Sequence, residues 1–162
     1  MTYLTQNRKP FAIFLGIVAL FALALPIHPV LAKGCSGNGS NLELQVKVQN
    51  IRSSSGMIVI TLYGDRPEEF LQSGRKIDRE RVPAKTGIVT ACLVLPKPGT
   101  YAIAVYHDED GDRKVTKSAF GIPTEGYGFS NDALVHLGPP KFNEVKISLG
   151  TEKKPVIINM HY

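Results

Sequence analysis

Two cysteines in 162 residues exclude a disulfide-dense miniprotein, and their distance apart excludes a Cys-x-x-Cys redox pair. Tryptophan is absent, and no Gly-x-Ser-x-Gly elbow occurs to carry a hydrolase nucleophile. Beyond residue 25 no apolar run exceeds eight residues, too short for a further membrane span. There is no internal repeat and no low-complexity segment. What is present is ordinary for a folded chain: 43% apolar and 20% charged residues, at a length that suits one domain. The formal charge of +5 is mild for a nucleic-acid binder.

The first 32 residues read as an address. Arg8 and Lys9 form a positive start, and Phe11 to Leu25 is an apolar run of 15 residues. Pro26 and Pro29 break that run, and Val30-Leu31-Ala32 supplies a small residue at the end. This is the pattern of a secretory signal peptide, with an uncleaved anchor as the alternative. Ala32-Lys33-Gly34 before Cys35 lacks the Leu of a lipoprotein signal. Removing Arg8 and Lys9 from 19 basic residues leaves 17 against 14 acidic, a net +3 with no nucleic-acid footprint. The exported product, periplasmic or extracellular, then has a flexible segment over 33–41 and a folded domain over 42–162. In an oxidising compartment Cys35 and Cys92 either form a bridge or remain two thiols, one of them buried in a strand.

Leu42, Leu44, Val46 and Val48 alternate with Glu43, Gln45, Lys47 and Gln49, the period of a strand with one buried face. Ser53 to Gly56 reads as a turn, and Met57 to Tyr63 as the hairpin partner of the first strand. Pro67 to Leu71 fits a helical turn with Phe70 and Leu71 inward. Ile77 to Val82 suits an edge strand, Ile88 to Leu95 a central one, and Thr100 to Tyr106 another without polar interruption. Val145 to Leu149 and Val156 to Met160 complete about seven strands. The expected fold is all-β: an antiparallel β-sandwich, immunoglobulin-like or transthyretin-like, with one long ordered loop.

That loop, 107–142, holds too many apolar anchors for disorder: Phe120, Ile122, Tyr127, Phe129, Leu134, Leu137 and Phe142. Glycines 121, 126 and 128 suggest tight bends. It opens on His107-Asp108-Glu109-Asp110-Gly111-Asp112, so Asp108, Asp110 and Asp112 have the 1-3-5 spacing of a calcium loop. Val115 falls at position 8, where an apolar plug is common, and Thr116 at position 9 offers a hydroxyl. Position 6 is Arg113 instead of Gly, and position 12 is Ala119 instead of a bidentate Glu. This is no EF-hand, although Glu125 or Asp132 can close a different cage. Three loop carboxylates suggest a weak extracellular-type Ca²⁺ site, with Kd on the order of 10⁻⁴ to 10⁻³ M. The bland alternative is a solvated acidic turn.

Pro98-Gly99-Thr100-Tyr101 through His107-Asp108, followed by Gly121-Ile122-Pro123-Thr124-Glu125-Gly126-Tyr127-Gly128-Phe129-Ser130-Asn131, resembles an uncharacterised bacterial family of exported proteins, domain of unknown function 2141. The likeness runs from about Leu42 to Tyr162. It implies an acidic loop after the His-Asp pair and a Pro-x-Phe near Pro140-Lys141-Phe142. Thr116 and Lys117 stand where that family often has an acidic residue. The Pro-Gly-x-Tyr entry is also similar to transthyretin-like and carboxypeptidase-regulatory sandwich domains, an analogy of fold and not of activity. The family brings no established reaction.

His107, His136 and His161 are too scattered for a zinc site. Adjacent strand residues point to opposite faces, so His107 and Asp108 do not act on one atom while the strand continues. Arg75, Lys76, Arg79, Arg81 and Lys85 mark a solvated edge, or a patch drawn weakly to anionic envelope polymers. The reading that follows is an exported, non-enzymatic binding module. Asp108, Asp110, Asp112, Thr116 and Glu125 are its candidate Ca²⁺ ligands, and His107, Tyr127, Phe129, Ser130 and Asn131 its candidate ligand face. A hydrolase using Glu125 or His107 with a loop carboxylate, or a purely structural envelope protein, is the alternative.

Overall fold

A computed structural model describes residues 35, 42–118, 123–152 and 154–162. The expected leader over 1–32, the segment 33–41 apart from Cys35, and the loop residues Ala119, Phe120, Gly121 and Ile122 lie outside the described residues. Among the described residues there are eight strands: β1 (Leu42–Ile51), β2 (Met57–Tyr63), β3 (Lys76–Pro83), β4 (Gly87–Leu95), β5 (Gly99–Asp108), β6 (Tyr127–Phe129), β7 (Lys146–Leu149) and β8 (Val156–Asn159). A one-turn helix, α1 (Phe142–Val145), precedes β7. Among the described residues no helix is long and apolar enough to cross a membrane.

The strands form two sheets, one in the order β4-β1-β8 and one in the order β3-β2-β5-β6, with β7 also paired to β5. Period-two alternation sends Leu44, Val46 and Val48 of β1 and Leu93 and Leu95 of β4 inward, where they meet Ile58, Ile60 and Leu62 of β2 and Ile103 and Val105 of β5. This is the main core. The larger sheet has a second, on its outer face, from Tyr63, Phe70, Ala102, Phe129, Phe142 and Val145. Phe70 is its hub, with ring centroids 5.4 Å from Tyr63, 6.2 Å from Phe129 and 6.1 Å from Phe142. Cover on both faces explains why β2 and β5 read as continuous apolar runs instead of alternating.

The sandwich expected from the sequence is present, with differences in detail. There are eight strands, and β8 runs parallel to β1. β1 and β2 are not a hairpin: β1 pairs with β4 and β8, whereas β2 pairs with β3 and β5. Gly56, at φ 70°, passes the chain from one sheet to the other. β4 is an edge strand, exposing Ile88 at 57% and Val94 at 42%; apolar content alone gave no sign of this. Its free edge is partly satisfied from the other sheet, since the Asp78 carboxylate accepts the Val94 N–H at 2.7 Å. Leu71 is exposed and in the left-handed region, so only Phe70 of that turn points inward.

Cys35 and Cys92 are joined as a disulfide, with their Cα atoms 5.5 Å apart and a separation of 57 positions in sequence. Beyond β8 the tail turns to the larger sheet, where Tyr127 and His161 exchange backbone hydrogen bonds of 2.9 and 2.8 Å. Gly126 and Gly128 serve that contact. Neither has a positive φ; a Cβ on Gly126 would lie 2.3 Å from the Tyr162 ring, and one on Gly128 2.6 Å from the Asn159 carbonyl. They permit close approach and do not form bends.

Candidate metal centre

β5 continues to Asp108, so parity sends His107 toward the inner side and Asp108 toward the outer face of the larger sheet. The chain then curls through Gly111 at φ 77° and Arg113 at φ 66°. Arg113 thus adopts the left-handed backbone that calcium loops assign to Gly at position 6. Three N–H groups of the curl are taken by its own carboxylates: Arg113 donates to Asp108 at 3.2 Å, Asp112 to Asp110 at 3.0 Å and Lys114 to Asp112 at 2.7 Å.

The returning arm brings Glu125. One of its oxygens accepts the Glu109 N–H and the other the Thr116 N–H, both at 2.9 Å. The Thr124 N–H in turn donates to the Thr116 carbonyl at 3.0 Å, which ties the two arms. In this arrangement one carboxylate oxygen from each of Asp108, Asp110 and Glu125 lies within 4.8 Å of the others. Asp108 and Glu125 are buried, at 1% and 5% exposure, and Asp110 is exposed. Arg81 approaches Asp108 to 3.5 Å as a cationic neighbour of the trio.

The two remaining ligand candidates are placed elsewhere. The Asp112 carboxylate is turned to Lys114, and Thr116 meets Glu125 through its backbone rather than its hydroxyl. Asp132 pairs with His161 at 2.9 Å, so of the two residues considered for closing the cage Glu125 is the one that arrives.

The candidate ligand face also divides. His107 is wholly buried. Its Nε2 lies 2.7 Å from the Ser55 carbonyl, which only accepts, so Nε2 carries a proton, and Nδ1 shares a hydrogen bond with the Tyr162 hydroxyl at 2.9 Å. Both nitrogens are thereby occupied. Ser130, equally buried, accepts the Ile103 N–H at 3.0 Å and donates to the Val145 carbonyl. Asn131, at φ 61°, donates to the Glu144 and Lys146 carbonyls at 3.1 and 2.9 Å. These three fasten α1 and the tail. Tyr127 and Phe129 lie on the outer face, as does the cross-strand partner Tyr106.

Arg52 and Glu109 carry the element that the sequence reading missed. The Arg52 guanidinium grips both Glu109 oxygens, reaches the Thr124 carbonyl at 3.4 Å and lies 4.3 Å over the Tyr162 ring. It straps the acidic curl and the returning arm to the β1–β2 turn. The hydrogen bond from Arg52 holds the Glu109 carboxyl below its ordinary value and raises the guanidinium. A depressed carboxyl contributes stability above the unfolded value near 4.3 and loses it as pH falls through the folded value. Arg52→Ala is therefore expected to cost up to about 1 kcal/mol at pH 7 and less at pH 3, read by urea unfolding at both. An equal cost at both values would assign the effect to packing on Tyr162. The basic run over 75–85 is dispersed: Arg75 lies 3.6 Å from Glu69, Arg79 donates to the Thr61 hydroxyl, Arg81 faces Asp108, and Lys76 and Lys85 are exposed.

A bacterial family described as uncharacterized protein conserved in bacteria (DUF2141) matches residues 46–157. No curated protein and no solved structure matches the chain. The matched span reaches from β1 into β8 and contains the whole acidic curl and the returning arm.

Proposed function

We propose that this chain, which belongs to that uncharacterised bacterial family, is an exported, non-enzymatic binding module whose 107–142 region is ordered by one Ca²⁺ ion. The observation that carries the reading is the convergence of Asp108, Asp110 and Glu125, drawn from two arms of the chain to within 4.8 Å, two of them buried. Two like charges at that spacing repel by roughly 3 kcal/mol at an effective dielectric constant near 20. Arg81 offsets part of this from one side. A divalent cation among the three oxygens converts the remaining repulsion into coordination, and hard carboxylate donors suit Ca²⁺. Backbone carbonyls and water would complete its shell.

Export rests on the leader pattern at the N-terminus and on the Cys35–Cys92 bridge, which persists in oxidising compartments. The non-enzymatic reading rests on His107, sealed with both nitrogens in use, and on Glu125, both of whose oxygens accept backbone N–H groups. His107 does not reach a substrate, and the lone pairs left on Glu125 are the ones assigned to Ca²⁺.

Binding only to the folded form, Ca²⁺ at ten times Kd stabilises by about 1.4 kcal/mol. For a domain of this size that raises Tm by roughly 5 °C over the value in EDTA. Asp110→Asn, at an exposed position that spares the fold, is expected to lose this rise, and Mg²⁺ to reproduce little of it. Identical melting curves in EDTA, Ca²⁺ and the variant would reduce the acidic curl to a turn.

A further inference from the structure

The outer face of the larger sheet holds a cleft of about 500 Å³ between the second core and the returning loop arms. Its floor is Thr61 and Tyr63 of β2, Ala104 and Tyr106 of β5, and Tyr127 and Phe129 of β6. Strand parity dictates this set, because Thr61 pairs with Ala104, Ala104 with Phe129 and Tyr106 with Tyr127. Val115, Lys117 and Pro123 form one wall, while Val135 and Pro139 form another.

Two cations enter this apolar, aromatic space. Arg79, half-buried on β3, donates its Nε–H to the Thr61 hydroxyl at 3.0 Å, which fixes the guanidinium plane against the floor. Lys117 reaches in from the loop. Among the described residues neither has an ion-pair partner, although every acidic residue of the sequence is described. No acidic residue lines the cleft. A partly desolvated guanidinium without a carboxylate favours an anion. Burial raises the Tyr63 hydroxyl above its ordinary value, against the lowering effect of the neighbouring Arg79.

We infer that the cleft binds a small organic carboxylate with a flat aromatic body, its carboxylate on Arg79 and Lys117 and its ring among Tyr106, Tyr127 and Phe129. The volume lies within the range of small-molecule sites, and the aromatic and aliphatic floor suits a flat apolar body. The inference rests on the binding-module reading but not on the cation.

Calorimetric titration of the full mature chain with 2-naphthoate tests it, in EDTA and again in Ca²⁺. The uncharged 2-naphthylmethanol and the polar anion glucuronate serve as comparison probes. Naphthoate is expected to bind, with the alcohol about tenfold weaker or more for want of the charge-assisted contact, and glucuronate about tenfold weaker or more for want of an aromatic body to pack on the rings. Arg79→Gln should weaken naphthoate about tenfold. Lys117→Gln, at an exposed side chain, should weaken it severalfold, and Arg75→Gln, outside the cleft, should leave it unchanged. The inference is overturned by absence of naphthoate binding in both buffers, by equal affinity for the alcohol, or by unchanged affinity in both cleft variants. If naphthoate fails while melting still responds to Ca²⁺, the cleft falls and the metal reading stands; the reverse outcome separates them the other way.

Discussion

Replacing Cys35 and Cys92 together by alanine is expected to lower the unfolding free energy by roughly 4 kcal/mol, or Tm by roughly 15 °C. The bridge closes a loop spanning 57 positions, and in the chain-entropy description the gain arises by restricting the unfolded ensemble. It ties the N-terminal segment to β4, the edge strand of the smaller sheet, which exposes Ile88 and Val94. Loss of the bridge therefore removes both an entropic constraint and a fastening at an edge strand. Urea unfolding of the oxidised, reduced and double-alanine forms checks this, with the reduced form matching the alanine variant. A loss below about 1 kcal/mol would mean that the unfolded chain is already compact around this loop.

Gly128→Ala is expected to be nearly as damaging, at roughly 3 kcal/mol or more. The added Cβ would stand 2.6 Å from the Asn159 carbonyl and 2.7 Å from Cγ2 of Ile158. Neither neighbour yields easily. Asn159 is the end of β8, held in register against Gln49, and Ile158 is wholly buried in the main core. Accommodation would require β6 to lift away from β8, breaking the Tyr127–His161 exchange that links the tail to the larger sheet. Gly138→Ala, with nothing within 4 Å and no positive φ, supplies the comparison and is expected to stay within about 0.5 kcal/mol of the parent. If both variants melt together, the close approach at β6 is not what holds the tail.

Strand existence was legible because alternation and β-branched runs depend on local burial. The bounds of β1, β2 and β5 follow the sequence pattern to within a few residues. Pairing was not legible. A buried face at Leu44, Val46 and Val48 specifies that something covers it, and says nothing about whether β2 or β4 lies alongside. The parallel contact between β1 and β8 joins the two ends of the domain, and only the closed fold brings them together.

The acidic curl was visible from Asp108, Asp110 and Asp112, because 1-3-5 spacing is a local property. Its outcome turns on a distant residue, Glu125, and on how each carboxylate is used by neighbouring N–H groups. Asp112 is drawn off by Lys114 for that reason. Arg113 at position 6 read as a departure, whereas the backbone there adopts the left-handed form that a Gly would supply. Ser130 and Asn131 lie in a distinctive motif and turned out to be fasteners, since a hydroxyl or amide fixed to backbone carbonyls has the same sequence signature as one aimed at a ligand. The strap between Arg52 and Glu109 had no local signal at all, because its partners lie 57 positions apart.

Direct counting of bound calcium tests the central claim. EDTA-stripped protein titrated with Ca²⁺ in a calorimeter is expected to take up one ion per chain with Kd on the order of 10⁻⁴ to 10⁻³ M. Asp110→Asn should weaken that uptake about tenfold or more while leaving the fold intact, because it removes one of three charged ligands. No saturable heat up to about 10 mM Ca²⁺, ten times the weakest Kd expected, would contradict the account. So would uptake that Asp110→Asn and Glu125→Gln leave unchanged.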